Sequence, residues 1–264
     1  RMLEKELNNK FENLILKNYF HGIQWLIQKE NKNYNGKVGF MNLESNESIR
    51  EDTIYRIWSM TKPIVAFATM ILLERDQIAL EDPIENYLPN AKKLKVLELI
   101  NNKKVLANLN RSITIKDLLM HTAGFSYNFL NDPIGKIYEK SKLFHSENSS
   151  LKSEVDKILS FPLLFQPGER WNYSVSIDIL AHIIEIITNK SIFLFLEENI
   201  FKPLQMNETC YFVEEHKRHR IMSSYEYIQK KNTLNKVSYN DQTINNYGYP
   251  DGNIQYARGG HGLF

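Results

Sequence analysis

The stretch from Thr53 to Leu73, TIYRIWSMTKPIVAFATMILL, places Ser59 three residues ahead of Lys62, where a β-branched and aromatic segment gives way to an almost wholly apolar run. The run has the length and composition of a buried helix, and Ser is a preferred residue at a helix N-terminus. Pro63 lacks an amide hydrogen and clashes with the carbonyl four residues back, so it is tolerated only within a first turn. The helix therefore cannot begin much before Ser59. The three-residue spacing sets Lys62 one turn along on the same face. Partial positive charge at the helix start favours negative charge near the serine. A lysine at the edge of an apolar helix is open to a pKa lowered by desolvation, the condition under which an amine serves as a base. Two readings stand on these residues alone: an activated nucleophile, and an N-cap serine with an incidental lysine.

The pattern S-x-x-K arises by chance about once or twice in a chain this rich in both residues, and a second copy runs from Ser149 to Lys152. Its surroundings, HSENSSLKSEVDK, contain nothing to desolvate Lys152. That copy reads as solvated surface.

Outward from Ser59, Met2 to Asn18 carries apolar residues at helical spacing (Leu3, Leu7, Phe11, Leu14, Ile15), which predicts an amphipathic first helix. Gly22 to Lys29 and Lys37 to Leu43 are short apolar-rich segments separated by the polar cluster ENKNYNG, a β-hairpin signature. From Glu81 to about Ile200 the pattern is mostly helical with long polar connections, among them the Lys- and Asn-rich stretch Ala91 to Arg111. Trp171 to Lys190 shows two opposed stripes, apolar at Ile177, Leu180, Ile183, Ile184 and Ile187, polar at Asp178, His182, Glu185 and Asn189. No strand-helix-strand alternation of the doubly wound kind is present, so the fold class expected is α+β.

Composition narrows the function classes. A hydrophobic content of 42% supplies a core, and 33 basic against 31 acidic residues leave a net charge of +2, too small for a polyanion-binding surface; nucleic acid is not expected as a partner. The mixed-sign run EEHKRHR, Glu214 to Arg220, reads as a solvated face. Pro63 to Leu73 is about half the length a bilayer requires, so no membrane span is expected. The single cysteine, Cys210, excludes an internal disulfide and reads as a small buried hydrophobe. The compartment stays open: cytoplasmic, or periplasmic or secreted if a signal peptide has been removed. There is no G-x-S-x-G elbow, no phosphate loop and no H-E-x-x-H helix, and His216 with His219 is read as a pair of surface residues. His121 and His182, in helix-like contexts, read as hydrogen-bonded structural histidines. No metal and no cofactor are expected.

Several segments taken in order carry a family resemblance. TIYRIWSMTKPIVAFATMILLERDQIALEDPIENYLPN (Thr53 to Asn90) is similar to the serine β-lactamase-like hydrolases, in the branch holding class C β-lactamases, D-Ala-D-Ala carboxypeptidases and the family VIII carboxylesterases. His21 to Ser45 resembles the family's first hairpin, SITIKDLLMHTAGF (Ser112 to Phe125) its helix and His-Thr-x-Gly turn, Phe161 to Thr209 the segment with its catalytic tyrosine, and RGGHGLF (Arg258 to Phe264) its glycine-rich stretch before a late helix.

The resemblance implies an antiparallel sheet flanked by helices with an inserted, mainly helical region. It implies one catalytic domain over residues 1–264: residues 1–75 with the first helix, hairpin and nucleophile helix, a helical region over about 76–240, and a Gly-rich segment over 241–264. It implies Ser59 as nucleophile forming an acyl-enzyme, Lys62 assisting its deprotonation, Tyr173 at the opening of the amphipathic helix as general base, and the Ser59 backbone N–H as one oxyanion donor. Tyr127 is a further candidate, for substrate binding.

The substrate implied is a small ester, amide or β-lactam. At the family's Tyr-x-Asn position this chain reads Tyr173, Ser174, Val175, which loses an amide and resembles the esterase members. A carboxylesterase is therefore expected, with a carboxypeptidase or β-lactamase as the alternative and a non-catalytic scaffold as the alternative outside enzymes. The family's third element, a Lys-Thr-Gly or His-x-Gly strand supplying the second oxyanion donor, falls beyond Phe264. The 264 residues are accordingly expected to form an incomplete sheet and to be weakly active or inactive on their own.

Overall fold

The apolar run after Ser59 forms helix α2, Thr61–Glu74, and its core face is spaced as a helix demands, with Val65, Ala68 and Leu72 at 0% exposure. The structure is a computed structural model and describes residues 2–145, 149–237 and 256–264. Residues 241–255 of the expected Gly-rich segment lie outside the described residues. Contacts divide the chain into two compact units, one of residues 2–56 with 214–237, the other of residues 57–213 with 256–264.

In the first unit, helix α1 (Met2–Leu16) is followed by antiparallel strands β1 (Gly22–Lys29) and β2 (Lys32–Asn42), with a short β3 (Glu47–Ser48) on the other side of β2. The register runs from Gly22 opposite Gly39 to Lys29 opposite Lys32, so the turn is only Glu30 and Asn31. The cluster ENKNYNG is thus mostly strand, not the expected loop; its polar side chains suit an exposed ladder that bends tightly where Glu30 adopts φ 56°. Helix α1 meets β2 at Gly36, where a Cβ would lie 2.3 Å from Asn8 Oδ1 and 2.6 Å from Trp25 Nε1. A second hairpin, β6 (Ser224–Ile228) with β7 (Thr233–Val237), belongs to the same unit. The charged run lies in a 3₁₀ segment, Glu215–Arg220, without buried residues.

The second unit holds the main core. Helix α6, Ser176–Thr188, runs through it with Ser176 to Ile184 buried without a break. Helices α2, α3 (Ile115–Met120), α5 (Leu151–Leu159) and α7 (Ile192–Leu196) pack against it, and α4 (Pro133–Lys140) belongs to the same unit. Their starts follow from caps legible in the sequence: Thr114 with Asp117 forms a reciprocal box, Asp132 accepts from the amides of Ile134 and Gly135, and Ser150 with Ser153 forms a second box. The stretch Ala91 to Arg111 is not a polar connection. It contains the antiparallel hairpin β4 (Lys95–Ile100) and β5 (Lys103–Asn108), turned by Asn101 and Asn102 at φ 51° and 62°. Two left-handed asparagines between alternating segments are the chemistry of a two-residue hairpin loop.

The segment Arg258 to Phe264 is buried in this unit. Leu263 O accepts from Ile57 N–H at 3.0 Å, Leu263 N–H reaches Thr61 Oγ1 at 3.3 Å, and Phe264 pairs its backbone with that of the partly buried Cys210. Among the described residues no single helix is long and apolar enough to cross a membrane.

Candidate functional site

Ser59 does not cap the helix. It lies inside a 3₁₀ turn, Trp58–Met60, and the residue in the capping position of α2 is Met60, which has no side-chain bond to the helix. Nor is the preceding segment a strand up to Ser59: Trp58 sits at φ 47°, in the left-handed region, where a bulky side chain is rare. Such a conformation costs on the order of 1–3 kcal/mol and persists where its surroundings over-determine it. Here the backbone on either side is fixed, by Ile57 N–H to Leu263 O and by Met60 N–H to Ile57 O at 2.9 Å. The strained turn frees the Ser59 hydroxyl from helix capping and presents it to two other side chains.

Those side chains are Tyr173 and Lys62. The Tyr173 hydroxyl donates to Ser59 Oγ at 2.8 Å and Lys62 Nζ donates to the same oxygen at 3.3 Å. Lys62, the second residue of α2, is 8% exposed, and its ammonium also donates to Gly260 O at 2.7 Å and lies 4.6 Å from the Tyr173 ring centre. Burial pushes its pKa down from the usual lysine range, opposed in part by its hydrogen bond with Tyr173 and by the Asp178 carboxylate.

Tyr173 stands three residues before α6 instead of opening it, in an irregular segment held by its neighbours' backbone. Asn172 N–H bonds His121 O at 2.9 Å, Ser174 N–H bonds His121 Nδ1 at 3.2 Å, and Val175 N–H bonds Ser126 O at 3.1 Å. His121 is therefore more than the expected structural histidine of a helix: it caps α3 at φ 56° and clamps the tyrosine segment. Because its Nδ1 accepts from an amide, the neutral ring carries its proton on Nε2. Burial, and after it the charge of Lys62, lowers its pKa to about 4.

Ser59 and Tyr173 open on a cavity of about 350 Å³, lined by Trp58, Tyr127, Phe129, Phe144 and Tyr173 together with Ser59, Asn128, Arg258 and His261. That is within the usual size of a small-molecule pocket, and its walls are largely aromatic. Tyr127 is on the cavity wall and almost entirely buried, its ring stacked on Phe129 at 4.7 Å and 5.1 Å from Tyr173.

Sequence reading missed the roles of Asp178 and Arg258. Asp178, in the polar stripe of α6, is 0% exposed and forms a two-point ion pair with Arg258, Nε to Oδ1 at 3.1 Å and Nη2 to Oδ2 at 3.3 Å. His182, further along the stripe and outside the cavity lining, is buried and bonded to Glu185 at 3.2 Å, as a structural histidine would be. Burial alone would push the Asp178 carboxyl up, but the charge and hydrogen bonds of Arg258 reverse this and hold it below the ordinary carboxylate range. Asp178 is covered because Arg258 to Gly260 lie over this part of α6. A Cβ on Gly259 would stand 2.1 Å from Ile177 O, and one on Gly260 2.5 Å from Asp178 Oδ2 and 2.8 Å from the Tyr127 hydroxyl. The glycine pair was a legible sign of close backbone approach, though not of what it approaches.

The chain is similar to several known proteins. Esterase EstB from Burkholderia gladioli is 31% identical over 183 residues, 68% of this chain and 44% of the relative. Protein Rv1367c from Mycobacterium tuberculosis (strain ATCC 25618 / H37Rv) is 30% identical over 191 residues, 72% of this chain and 47% of the relative. The chain thus spans less than half the length of these curated relatives. Among solved structures, EstCE1, described as a hydrolase with promiscuous acyltransferase activity, superposes with a TM-score of 0.80 at 19% identity, covering 100% of this chain and 70% of its own. That likeness establishes the β-lactamase and transpeptidase-like fold expected from the sequence. The model of the family described as Beta-lactamase matches residues 7–262. A match over nearly the whole sequence makes this chain a member of the serine β-lactamase-like family.

Proposed function

We propose that the protein is a serine hydrolase that forms an acyl-enzyme on Ser59 and acts on esters. One observation carries this reading: the Ser59 hydroxyl lies 2.8 Å from a tyrosine hydroxyl and 3.3 Å from a buried lysine amine, beside an aromatic cavity. Ser59 Oγ attacks the ester carbonyl carbon while its proton passes to the Tyr173 oxygen and the Tyr173 proton to a neutral Lys62. Lowering of the lysine pKa by burial favours the neutral amine this step needs. The carbon–oxygen bond to the alcohol then breaks, and the leaving oxygen takes a proton back along the same route. Water, or a second alcohol, releases the acyl group by the reverse sequence. The Ser59 backbone N–H, next to the start of α2, is one donor to the tetrahedral oxyanion.

Preference for an ester over a peptide or β-lactam rests on Val175. Where other branches of the family carry a substrate-contacting amide, this side chain is 0% exposed in the core and offers the cavity no polar group. The name of esterase EstB, 31% identical over 183 residues, agrees with the preference. Labelling by a fluorophosphonate, followed by peptide mapping, tests the nucleophile; the expected adduct is on Ser59. Failure of the folded protein to label there would also favour a non-catalytic scaffold. Turnover of p-nitrophenyl esters is expected to exceed that of nitrocefin and of a D-Ala-D-Ala peptide, and preferential cleavage of the peptide would overturn the ester assignment.

A further inference from the structure

We propose that Asp178 and Arg258 are positioning residues that act on Lys62 through Gly260, holding the amine in place and balancing the charge around it. This rests on the proposed roles of Ser59, Lys62 and Tyr173. Geometrically, one residue bridges the two sites: Gly260 N–H donates to Asp178 Oδ1 at 2.9 Å, and Gly260 O accepts from Lys62 Nζ at 2.7 Å. Asp178 is itself fixed by the Arg258 fork, and the guanidinium is held over the Phe144 ring at 3.4 Å, with Nη1 directed at His261 Nε2 at 3.4 Å. The chain of contacts Arg258, Asp178, Gly260, Lys62 therefore runs from the cavity wall through the core to the serine without a flexible link. Neither Gly260 nor Gly259 has room for a side chain, which keeps the bridge short.

Electrostatics give the arrangement a second effect. The groups facing Lys62 are Tyr173 and His121 on the tyrosine side, Tyr127 on the cavity side, and Asp178 with Arg258 beneath. His121 and Tyr127 are neutral near pH 7, since burial lowers the first and raises the second. The carboxylate and the guanidinium are left as opposed charges, the first favouring a charged Lys62 and the second disfavouring it. The reactive form is the one in which Lys62 is neutral and able to accept a proton.

The test compares Asp178→Asn, Arg258→Met and the double variant with the unaltered protein, reading kcat, KM and the acidic limb of kcat/KM on a p-nitrophenyl ester. Asparagine still accepts from Gly260 N–H but removes the negative charge, so the acidic limb moves to lower pH. Methionine removes the positive charge, so the limb moves to higher pH. In the double variant the limb returns toward its original position. Loosening of the bridge lowers kcat about tenfold to a hundredfold in the single variants with KM little changed. Each single variant leaves one buried charge unpaired and is open to misfolding; the double variant avoids this, and thermal unfolding identifies any variant that is not folded. Should a single variant not fold, the double variant alone decides: a lowered kcat with the limb in place supports the bridge, and unchanged kcat overturns it. Folded single variants whose limbs stay fixed, or move in the same direction, overturn the electrostatic role. If Ser59→Ala retains turnover, the assignment of the nucleophile has failed; if Ser59→Ala is inactive while all three variants behave as the unaltered protein, only the positioning role of Asp178 and Arg258 has.

Discussion

Two copies of one pattern, Ser59 to Lys62 and Ser149 to Lys152, have the same spacing and opposite environments. In the first, the lysine is almost fully buried and shares the serine oxygen with a tyrosine. In the second, the lysine side chain is 70% exposed and paired with Asp156 at 2.7 Å, one turn along α5, while Ser149 Oγ turns to Ser153 and Glu154. The capping role that sequence offered for Ser59 is performed in the other copy by Ser150, the N-cap of α5. Spacing therefore decides which atoms are able to meet, and burial decides whether the meeting changes their chemistry.

Replacing each serine is the strongest way to break the contrast. Ser59→Ala is expected to lower kcat on a p-nitrophenyl ester by roughly 10³ to 10⁶ fold and to abolish fluorophosphonate labelling, because the bond-forming oxygen is gone. Ser149→Ala is expected to leave both unchanged. Equal loss in the two variants would mean that the contrast in environment has no functional content. The lysines come next: Lys62→Met is expected to cost about 10² to 10⁴ fold in kcat, the usual worth of a proton-transferring group, whereas Lys152→Met is expected to match the unaltered protein.

The contrast was partly legible in the sequence, and so was the frame around it. The apolar run of α2, the capping residues Thr114, Asp132 and Ser150, and the apolar stripe of α6 are local patterns whose physical cause lies within a few residues. The hairpin β4–β5 was legible in principle, since KVLELI and KKVLAN flank an Asn-Asn turn, but the surplus of Lys and Asn masked its alternation. The turn at Trp58 was not legible, because nothing local makes tryptophan adopt φ 47°; Leu263 does so from more than two hundred residues away. The same holds for Asp178. Periodicity shows that it lies opposite the apolar stripe, but not that Arg258, 80 residues on, covers it.

A smaller effect separates the two environments by pH. His121 beside Tyr173 has its pKa lowered to about 4 from an ordinary value of 6.5. Between those values the unfolded chain takes up a proton that the folded protein refuses. Stability is therefore lost as pH falls through 6.5 toward 4 and is fully regained above 6.5. The expected loss from this residue between pH 7 and pH 5 is about 2 kcal/mol. Urea unfolding at the two pH values measures it, and His121→Gln is expected to remove that share of the pH dependence. An unchanged dependence in the variant would show that the ring around the first copy is open to water after all.

The smallest effects belong to the second copy. Ser150→Ala removes the oxygen that accepts from Ser153 N–H at 3.1 Å and breaks the reciprocal box at the start of α5. The expected cost is about 1 kcal/mol of stability, the usual worth of an N-cap, with turnover unchanged. Ser150→Asp, which keeps an acceptor and adds a favourable charge at the helix start, is expected to recover most of it. Lys152→Met, which loses only an exposed pair one turn apart, is expected to change stability by less than about 0.5 kcal/mol. Should Ser150→Ala lower turnover without lowering stability, the second copy would have a part in chemistry that its geometry does not provide. A loss of stability alone would show the same S-x-x-K spacing acting as a helix start in one place while serving the strained turn at Ser59 in the other.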